Sequence, residues 1–437
     1  MTHATPATNL AAAETPAAVA SSAFQTILET IDPSTITYTS ADLEDPIPDI
    51  SQPHTRLVLE RAAEILRQGQ VVGMPTETVY GLASSALESV AAQRIFKAKN
   101  RPQDNPLIVH VSSLKMLRSI LKDEQIPEVY TDLIRAYWPG PMTLLFPRSS
   151  LIPDEITCGQ PTVAVRFPAH PISRALISIF DRPLAAPSAN SSGKPSPTLA
   201  SHVMDDLRGK IPMVIDGGQC SFGIESTVVD GLRMPPAILR PGGVTFEQIR
   251  QIKGMENIQV YKKHFTDAAM EQAPTTPGMK YRHYSPEAEV VLVEYIKPKD
   301  GSDSSLQSST KATTGQYSLI LKEIEKLKQE GKRRFGILRT SLTSQATAQI
   351  NGNWSAERVN GSFNNEDVIE FPLGQGSKPE DVARELFRGL RFLDGQDVDC
   401  IFVEGISEED EGLAVMNRVR KAASRTISPD STLTEFL

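Results

Sequence analysis

Three cations within five residues, Lys97, Lys99 and Arg101, follow a turn of hydroxyls and one acid, Thr76-Glu77-Thr78, and precede an apolar run carrying His110. Cations, hydroxyls and an imidazole are the groups that hold a phosphate or carboxylate and offset the repulsion between two anions. Taken alone, the three cations fit better a solvated helix end, where they complement the negative end of the dipole. Further along, Thr162-Val163-Ala164-Val165-Arg166 reads as a strand. Residues two apart share a strand face, so Thr162, Ala164 and Arg166 point the same way, and an arginine beside a hydroxyl can fork onto an anion. By itself that arginine reads as a surface residue at a strand end.

Two loops add to this set. Ala185-Ala186-Pro187-Ser188-Ala189-Asn190-Ser191-Ser192-Gly193-Lys194-Pro195-Ser196-Pro197-Thr198 is stiff and small-residued, and its backbone N–H groups can be approached closely. It leads into a helix that Thr198 can cap, and helix N-termini favour anions. The second loop runs from Asp216 to Gly243. Ser226 and Thr227 open a strand there, and Arg240 ends one before a Pro-Gly-Gly turn. Glu225 suits a salt bridge as well as catalysis. No GxxxxGK[ST] loop, HExxH, GxSxG or EF-hand pattern is present, so any phosphate must be held in another way.

The elements that must position these groups alternate irregularly. Strands are expected at 71–74, 107–111, 143–146, 163–166, 184–186, 212–215, 226–230 and 237–240. Helices are expected at 57–68, 89–99 (capped by Ser89), 113–121, 127–137, 171–180, 198–207 and 245–253. Because helices and strands do not strictly alternate, residues 51–259 predict one α/β domain with a mixed sheet. Residues 260–287 break the pattern with prolines and the cluster Lys280-Tyr281-Arg282-His283-Tyr284, a linker suited to stacking and phosphate contacts. Residues 288–437 start afresh with strands at 289–294, 335–338, 367–371 and 398–403 and helices at 317–330, 379–394 and 411–424. This predicts a smaller, Rossmann-like, mostly parallel α/β domain without the GxGxxG fingerprint. Ser- and Asn-rich inserts interrupt it near 301–315 and 341–365.

Composition sets outer limits. At 437 residues with 40% hydrophobic and 22% charged residues, two folded units plus tails are expected. A net charge of −8 argues against non-specific attraction to nucleic acid, so any RNA contact needs a local basic patch. Cys158, Cys220 and Cys400 are isolated, which suits a reducing compartment and suggests neither disulfides nor zinc. No apolar run is long enough to span a membrane. Residues 1–50, rich in Ala, Thr, Ser and Pro, match neither a presequence nor a secretory signal and read as a disordered or loosely packed extension.

Taken together, PTETVYGL, KAKNRPQDNPLIVH, TVAVR, PSANSSGKPSPT and DGGQCSFGIEST, in this order, resemble the YrdC-like family of threonylcarbamoyl-adenylate synthases. MKYRHYSP and the closing GLAVMNRVRKAA resemble its two-domain form. The resemblance implies a YrdC-like twisted mixed sheet and a reaction in which L-threonine, bicarbonate or CO2, and ATP give threonylcarbamoyl-AMP and pyrophosphate. The product would pass to a separate transferase complex that modifies the adenosine beside the anticodon of tRNA, with a possible direct tRNA contact and a cytoplasmic location. By position, Thr78, His110, Arg166, Ala186 and Ser226 would hold threonine. Lys97, Lys99, Arg101, Asn105, Thr162, Ser188, Asn190, Ser196, Arg240, His283 and Tyr284 would surround ATP. Lys99, Arg101, Ser188 and Arg240 would carry the catalytic weight, with Mg2+ arriving on the ATP phosphates. The carbamate is itself a nucleophile, so no activated Ser or Cys is required. The linker would act as a lid anchored by the C-terminal domain. Two rivals remain: an RNA-docking module without chemistry, which needs no amino-acid pocket, and a carbamoyl-transfer enzyme, for which three isolated cysteines cannot supply zinc fingers.

Overall fold

A computed structural model describes residues 24–38, 42–267, 274–276, 283–295, 305–340 and 367–428, with the side chains of 305–314 left out. The first unit contains β1 (Ile27–Thr30), β2 (Ile36–Tyr38), β3 (Pro48–Ile50), α1 (Pro53–Arg67), β4 (Val72–Met74), β5 (Gly81–Ser85), α2 (Ser89–Lys99) and β6 (Ile108–His110). It continues through α3 (Leu114–Ile120), α4 (Thr131–Tyr137), β7 (Met142–Pro147), α5 (Asp154–Thr157), β8 (Thr162–Arg166), α6 (Pro171–Phe180) and β9 (Leu184–Ala185). It closes with α7 (Ala200–Leu207), β10 (Met213–Asp216), β11 (Thr227–Asp230), β12 (Ala237–Arg240), α8 (Phe246–Arg250) and β13 (Gln259–Val260).

Eleven strands form one mixed sheet in the order β1-β10-β4-β5-β9-β6-β8-β7-β11-β12-β13. β4 and β5 pair antiparallel, as do β8 and β7, while β6 and β8 are parallel. On one face α1 and α6 pack together through Val58, Leu59, Leu66, Ile172 and Leu176. The other face carries the larger core, including Phe96, Tyr130, Trp138, Phe146 and Phe167. The mixed sheet expected from the irregular alternation is present.

Three local expectations change. The segment expected to be loose contributes β1, whose Leu28 pairs in register with Val214, and Ile31, Ile36 and Ile50 enter the core; residues 1–23 lie outside the described residues. Glu88, not Ser89, is the N-cap of α2, and the Ser89 hydroxyl donates instead to Glu155 Oε2 at 2.5 Å. α7 starts at Ala200 with Leu199 as its N-cap, so Thr198 caps nothing; its N–H donates to His202 Nδ1 at 3.3 Å.

The second unit holds β14 (Glu289–Val293), β15 (Phe335–Arg339), β16 (Val368–Pro372), β17 (Cys400–Glu404) and β18 (Arg425–Ile427) in the order β16-β15-β17-β14-β18. All its pairs are parallel, as the uninterrupted apolar strands required. Its helices are Ser305–Gln329, Pro379–Asp394 and Glu411–Ala422. The first begins twelve residues earlier than the expected 317, inside the Ser-rich insert; residues 301–304 and the insert at 341–365 lie outside the described residues. The two units share an apolar cluster: Val79 and Ile224 from the first pack with Tyr284, Leu386, Phe387 and Val415. At Gly223 the two units approach closely, since a Cβ there would collide with the Arg384 backbone.

Candidate active site

The sheet order explains why residues far apart in sequence meet. β6, β8 and β9 are neighbours, so His110 pairs with Arg166 at the ends of β6 and β8, and Ala186, just past the antiparallel β9, lies beside Ile108. β11 and β12 add Ser226 and Arg240, and the turn after β4 adds Thr78. The resulting cavity, about 480 Å³ of empty space including its mouth, is lined by Thr78, Val79, Arg101, Ile108, His110, Arg166, Ala186, Pro187, Ser188, Glu225, Ser226, Arg240, His283 and Tyr284.

One side of the cavity is built on Arg166. Its Nη1 donates to Thr78 Oγ1 at 2.8 Å, its Nε to the Gly140 carbonyl at 3.2 Å, and its Nη2 lies 2.6 Å from Glu77 Oε1. A guanidinium has five N–H bonds, so some remain for a ligand carboxylate. Burial pushes the Glu77 carboxyl up, but Arg166 and its hydrogen bonds outweigh this and hold it below the ordinary carboxylate value. Thr76 Oγ1 lies 2.9 Å from Thr78 Oγ1 and donates to the Val79 carbonyl at 2.6 Å, locking the turn. His110 Nδ1 sits 3.1 Å from the Ile108 carbonyl. Burial, reinforced by Arg166, lowers its imidazole to about 3, so the ring is neutral at pH 7. Nδ1 then carries the proton and Nε2 is left as an acceptor.

The other side is cationic. Arg240 sends Nε and Nη2 to the Ser226 carbonyl at 3.1 and 2.9 Å, and Nη2 reaches Ser226 Oγ at 3.1 Å. Ser226 Oγ is also 2.8 Å from Thr143 Oγ1. Arg101 is held by the Asn105 carbonyl, 3.0 Å from Nη2, and by that of Pro106 at 3.1 Å. Burial lowers Arg101 to about 10, which still leaves it charged at pH 7. Glu225, the one carboxylate among the lining residues, accepts from Ser196 Oγ at 2.6 Å.

Ten of the sixteen sequence candidates therefore line the cavity: Thr78, Arg101, His110, Arg166, Ala186, Ser188, Ser226, Arg240, His283 and Tyr284. Six do not. Lys97 is exposed on α2, on the face opposite Lys99. Lys99 is 1% exposed and donates to the carbonyls of Ser188 and Asn190, pinning the Pro187–Asn190 turn from beneath. Asn105 contributes its carbonyl to Arg101, and the Asn190 amide bonds Ser191 and Lys194 carbonyls within its own loop. Ser196 acts on Glu225, and Thr162 sits at the far end of β8 opposite Pro147. Thr162 shares a face with Arg166, as alternation requires, but stands four residues, about 13 Å, away along the strand.

Beyond the expected anchoring of the linker, sequence reasoning missed the hold of the second unit on the Pro187–Thr198 loop. Arg391 Nη2 donates to the Pro195 carbonyl at 2.6 Å and pairs with Asp206 Oδ2 at 2.8 Å, and Asp206 Oδ2 accepts the Ser191 N–H at 3.0 Å. The loop is thus held by Lys99 from within and by Arg391 from the other unit. Arg391→Ala should cost about 3 kcal/mol, because it leaves Asp206 buried and unpaired, and urea unfolding checks this. Nothing in the sequence near Arg391 distinguishes it from the other arginines of its helix.

An α/β unit with a cationic cavity, packed against a second parallel-sheet unit, is the architecture of a protein that holds anionic ligands. Residues 64–242 match the family model Sua5_yciO_yrdC, described as telomere recombination, and residues 244–424 match the threonylcarbamoyl-AMP synthase C-terminal domain. The threonylcarbamoyl-AMP synthase of Schizosaccharomyces pombe is 43% identical over 92% of this chain and 98% of its own. That of Bacillus subtilis is 38% identical over 84% of this chain and 92% of its own. The crystal structure of Pyrococcus abyssi Sua5 complexed with L-threonine superposes with a TM-score of 0.72 at 39% identity, covering 92% of this chain and 99% of that one. The chain belongs to the threonylcarbamoyl-AMP synthase family. Its activity is the synthesis of threonylcarbamoyl-AMP for which that family is named.

Proposed function

We propose that the Thr78–Arg166 side of the cavity binds L-threonine and the Arg101–Arg240 side binds ATP. The observation carrying this is the division of one cavity between a carboxylate-type arginine site with a neutral imidazole and a pair of further arginines. Arg166 takes the amino-acid carboxylate with its remaining N–H bonds. His110 Nε2 accepts from the threonine hydroxyl or amine. The amine captures CO2 and releases a proton, and the carbamate oxygen then attacks the α-phosphorus as the bond to pyrophosphate breaks. Arg101, Arg240 and the Ser188 turn hold the phosphates and offset the repulsion between two anions.

Mg2+ belongs to this reading as a companion of ATP. Among the described residues no group of three or more His, Cys, Asp or Glu side chains could hold a metal. A single lining carboxylate, Glu225, suits an ion carried mainly by phosphates and water. When bound, it would neutralise phosphate charge. His283 and Tyr284 line the cavity from the linker and close it over the nucleotide, excluding water from a hydrolysable mixed anhydride. Residues 280–282 of the same cluster lie outside the described residues. The product passes to a transferase acting on tRNA. Among the described residues no helix is long and apolar enough to cross a membrane, and the proposed location is cytoplasmic.

Pyrophosphate release tests the reading. It should require both L-threonine and bicarbonate, and should fall about 10²–10³-fold in Arg101→Ala, the size of effect expected for removing one pre-positioned donor. Release that ignores threonine, or survives the substitution, would sink it.

A further inference from the structure

Arg418 lies on the helix Glu411–Ala422 of the second unit, yet it is completely buried against the first. Its Nε donates to Glu225 Oε2 at 3.1 Å, and its Nη1 donates to the carbonyls of Pro241 and, at 3.4 Å, Ala414. Its guanidinium also stands 5.9 Å from the centre of the Tyr284 ring. The two first-unit residues it grips flank the cavity floor in sequence: Glu225 precedes Ser226, and Pro241 follows Arg240. The strands cross so closely there that a Cβ on Gly242 would collide with the Glu225 carbonyl and the Ser226–Thr227 backbone.

We propose that Arg418 is a positioning residue for the reaction, through which the second unit sets the geometry of the Ser226–Arg240 pair and of Glu225. This rests on the functional reading above. One guanidinium ties the chain on both sides of the floor, so the hydrogen bonds from Arg240 to Ser226 depend on a residue from the other unit. It also supplies the buried counter-charge to Glu225, whose other oxygen fixes Ser196 in the substrate loop. Truncating the second unit would therefore disorganise the cavity as well as uncover it.

Several charged and titratable groups face Glu225: Arg418 and Lys421 from the last helix, Arg240 at the end of β12, and His283 and Tyr284 from the linker. Burial pushes the Glu225 carboxyl up, but Arg418 first and Arg240 second outweigh it and hold it at about 2. With Arg418 gone, burial acts against Arg240 and the Ser196 hydrogen bond without the strongest opposing charge, and protonation of Glu225 moves to higher pH.

The test compares Arg418→Met, which keeps length without charge, with Arg418→Lys, in the full chain. For Arg418→Met the expectation is a kcat about tenfold or more below wild type, with a smaller change in threonine KM, and an acid limb of the kcat profile displaced to higher pH. Arg418→Lys should recover the wild-type limb and part of kcat. Kinetics of Arg418→Met within twofold of wild type would overturn the proposal. So would equal losses in both variants with the acid limb unmoved, since that is what a purely structural role produces. If Arg418→Met does not accumulate as folded protein, Glu225→Gln takes its place: its kcat should fall about tenfold or more with a smaller change in threonine KM, and kinetics within twofold of wild type would overturn the proposal. Wild-type enzyme inactive with threonine, bicarbonate and ATP would instead refute the functional reading itself.

Discussion

Replacing Arg166 by methionine should raise the KM for L-threonine at least about a hundredfold, the loss expected when a charge-assisted fork onto a carboxylate disappears. Steady-state pyrophosphate release against threonine concentration measures it. The substitution should also cost about 3–5 kcal/mol of stability, because Glu77 is left as an unpaired charge in a buried site. The two effects separate by pH. In the wild type Glu77 is held below its ordinary value, chiefly by Arg166 acting against burial. Its stabilisation is therefore complete above the unfolded-state value of about 4.3 and is lost as pH falls through the folded one. In Arg166→Met burial acts without the guanidinium, and the folded pKa rises above about 4.3. The variant then gains stability as pH falls towards that value, opposite in sign to the wild type. Adding Glu77→Gln to Arg166→Met should restore much of the stability at pH 7 and none of the threonine binding. A variant with wild-type threonine KM would remove Arg166 from the amino-acid site.

Arg240→Lys should be nearly as damaging, although it keeps the charge. The guanidinium bonds the Ser226 carbonyl through two nitrogens and reaches Ser226 Oγ with one of them. An ammonium is a point donor and cannot reproduce that fork. The expected loss in kcat/KM is about 10²–10³-fold, with ATP affinity falling because the replacement no longer presents the same plane to a phosphate. Isothermal titration with a non-hydrolysable ATP analogue, beside the kinetics, checks both parts. Retention of wild-type kcat/KM in the lysine variant would mean that Arg240 acts only through its charge.

His110 makes a contrasting case. Its imidazole is pulled down to about 3 by burial and by Arg166, so its charge does not change between pH 5 and 8. A pH-rate profile over that interval should carry no inflection from this residue. The acceptor at Nε2 is available throughout.

Much of the framework was legible in the sequence because local chemistry sets it. α6 spans Pro171–Phe180, as the apolar spacing requires, with proline at its first position and Asp181 in the left-handed region at its end (φ 58°). α2 ends at Lys99 for the same kind of reason, with Asn100 at φ 51° as its stop. Uninterrupted apolar strands announced the parallel sheet of the second unit. β5, with the sequence GLASS, escaped notice because small residues carry neither alternation nor β-branched enrichment. β1 escaped because its only described sheet partner is β10, 186 residues further along the chain, and pairing at that distance leaves no local trace.

The candidate site divides in the same way. The sequence by itself determined which chemistry was available: arginines at strand ends, a hydroxyl turn, a strand histidine, and a stiff loop of small residues. Only the tertiary structure decided which groups face the cavity. Lys97 and Lys99 sit two residues apart on one helix, and helical geometry turns one to solvent and the other under the Ser188 turn. Thr162 and Arg166 share a strand face, yet only the end of β8 beside β6 reaches the site. Arg391 and Arg418 lie far in sequence from the residues lining the cavity, and packing of the second unit against the first places them on the Pro187–Thr198 loop and beside Glu225. Spacing along the chain fixes side-chain direction within an element, while the docking of elements fixes what lies in that direction.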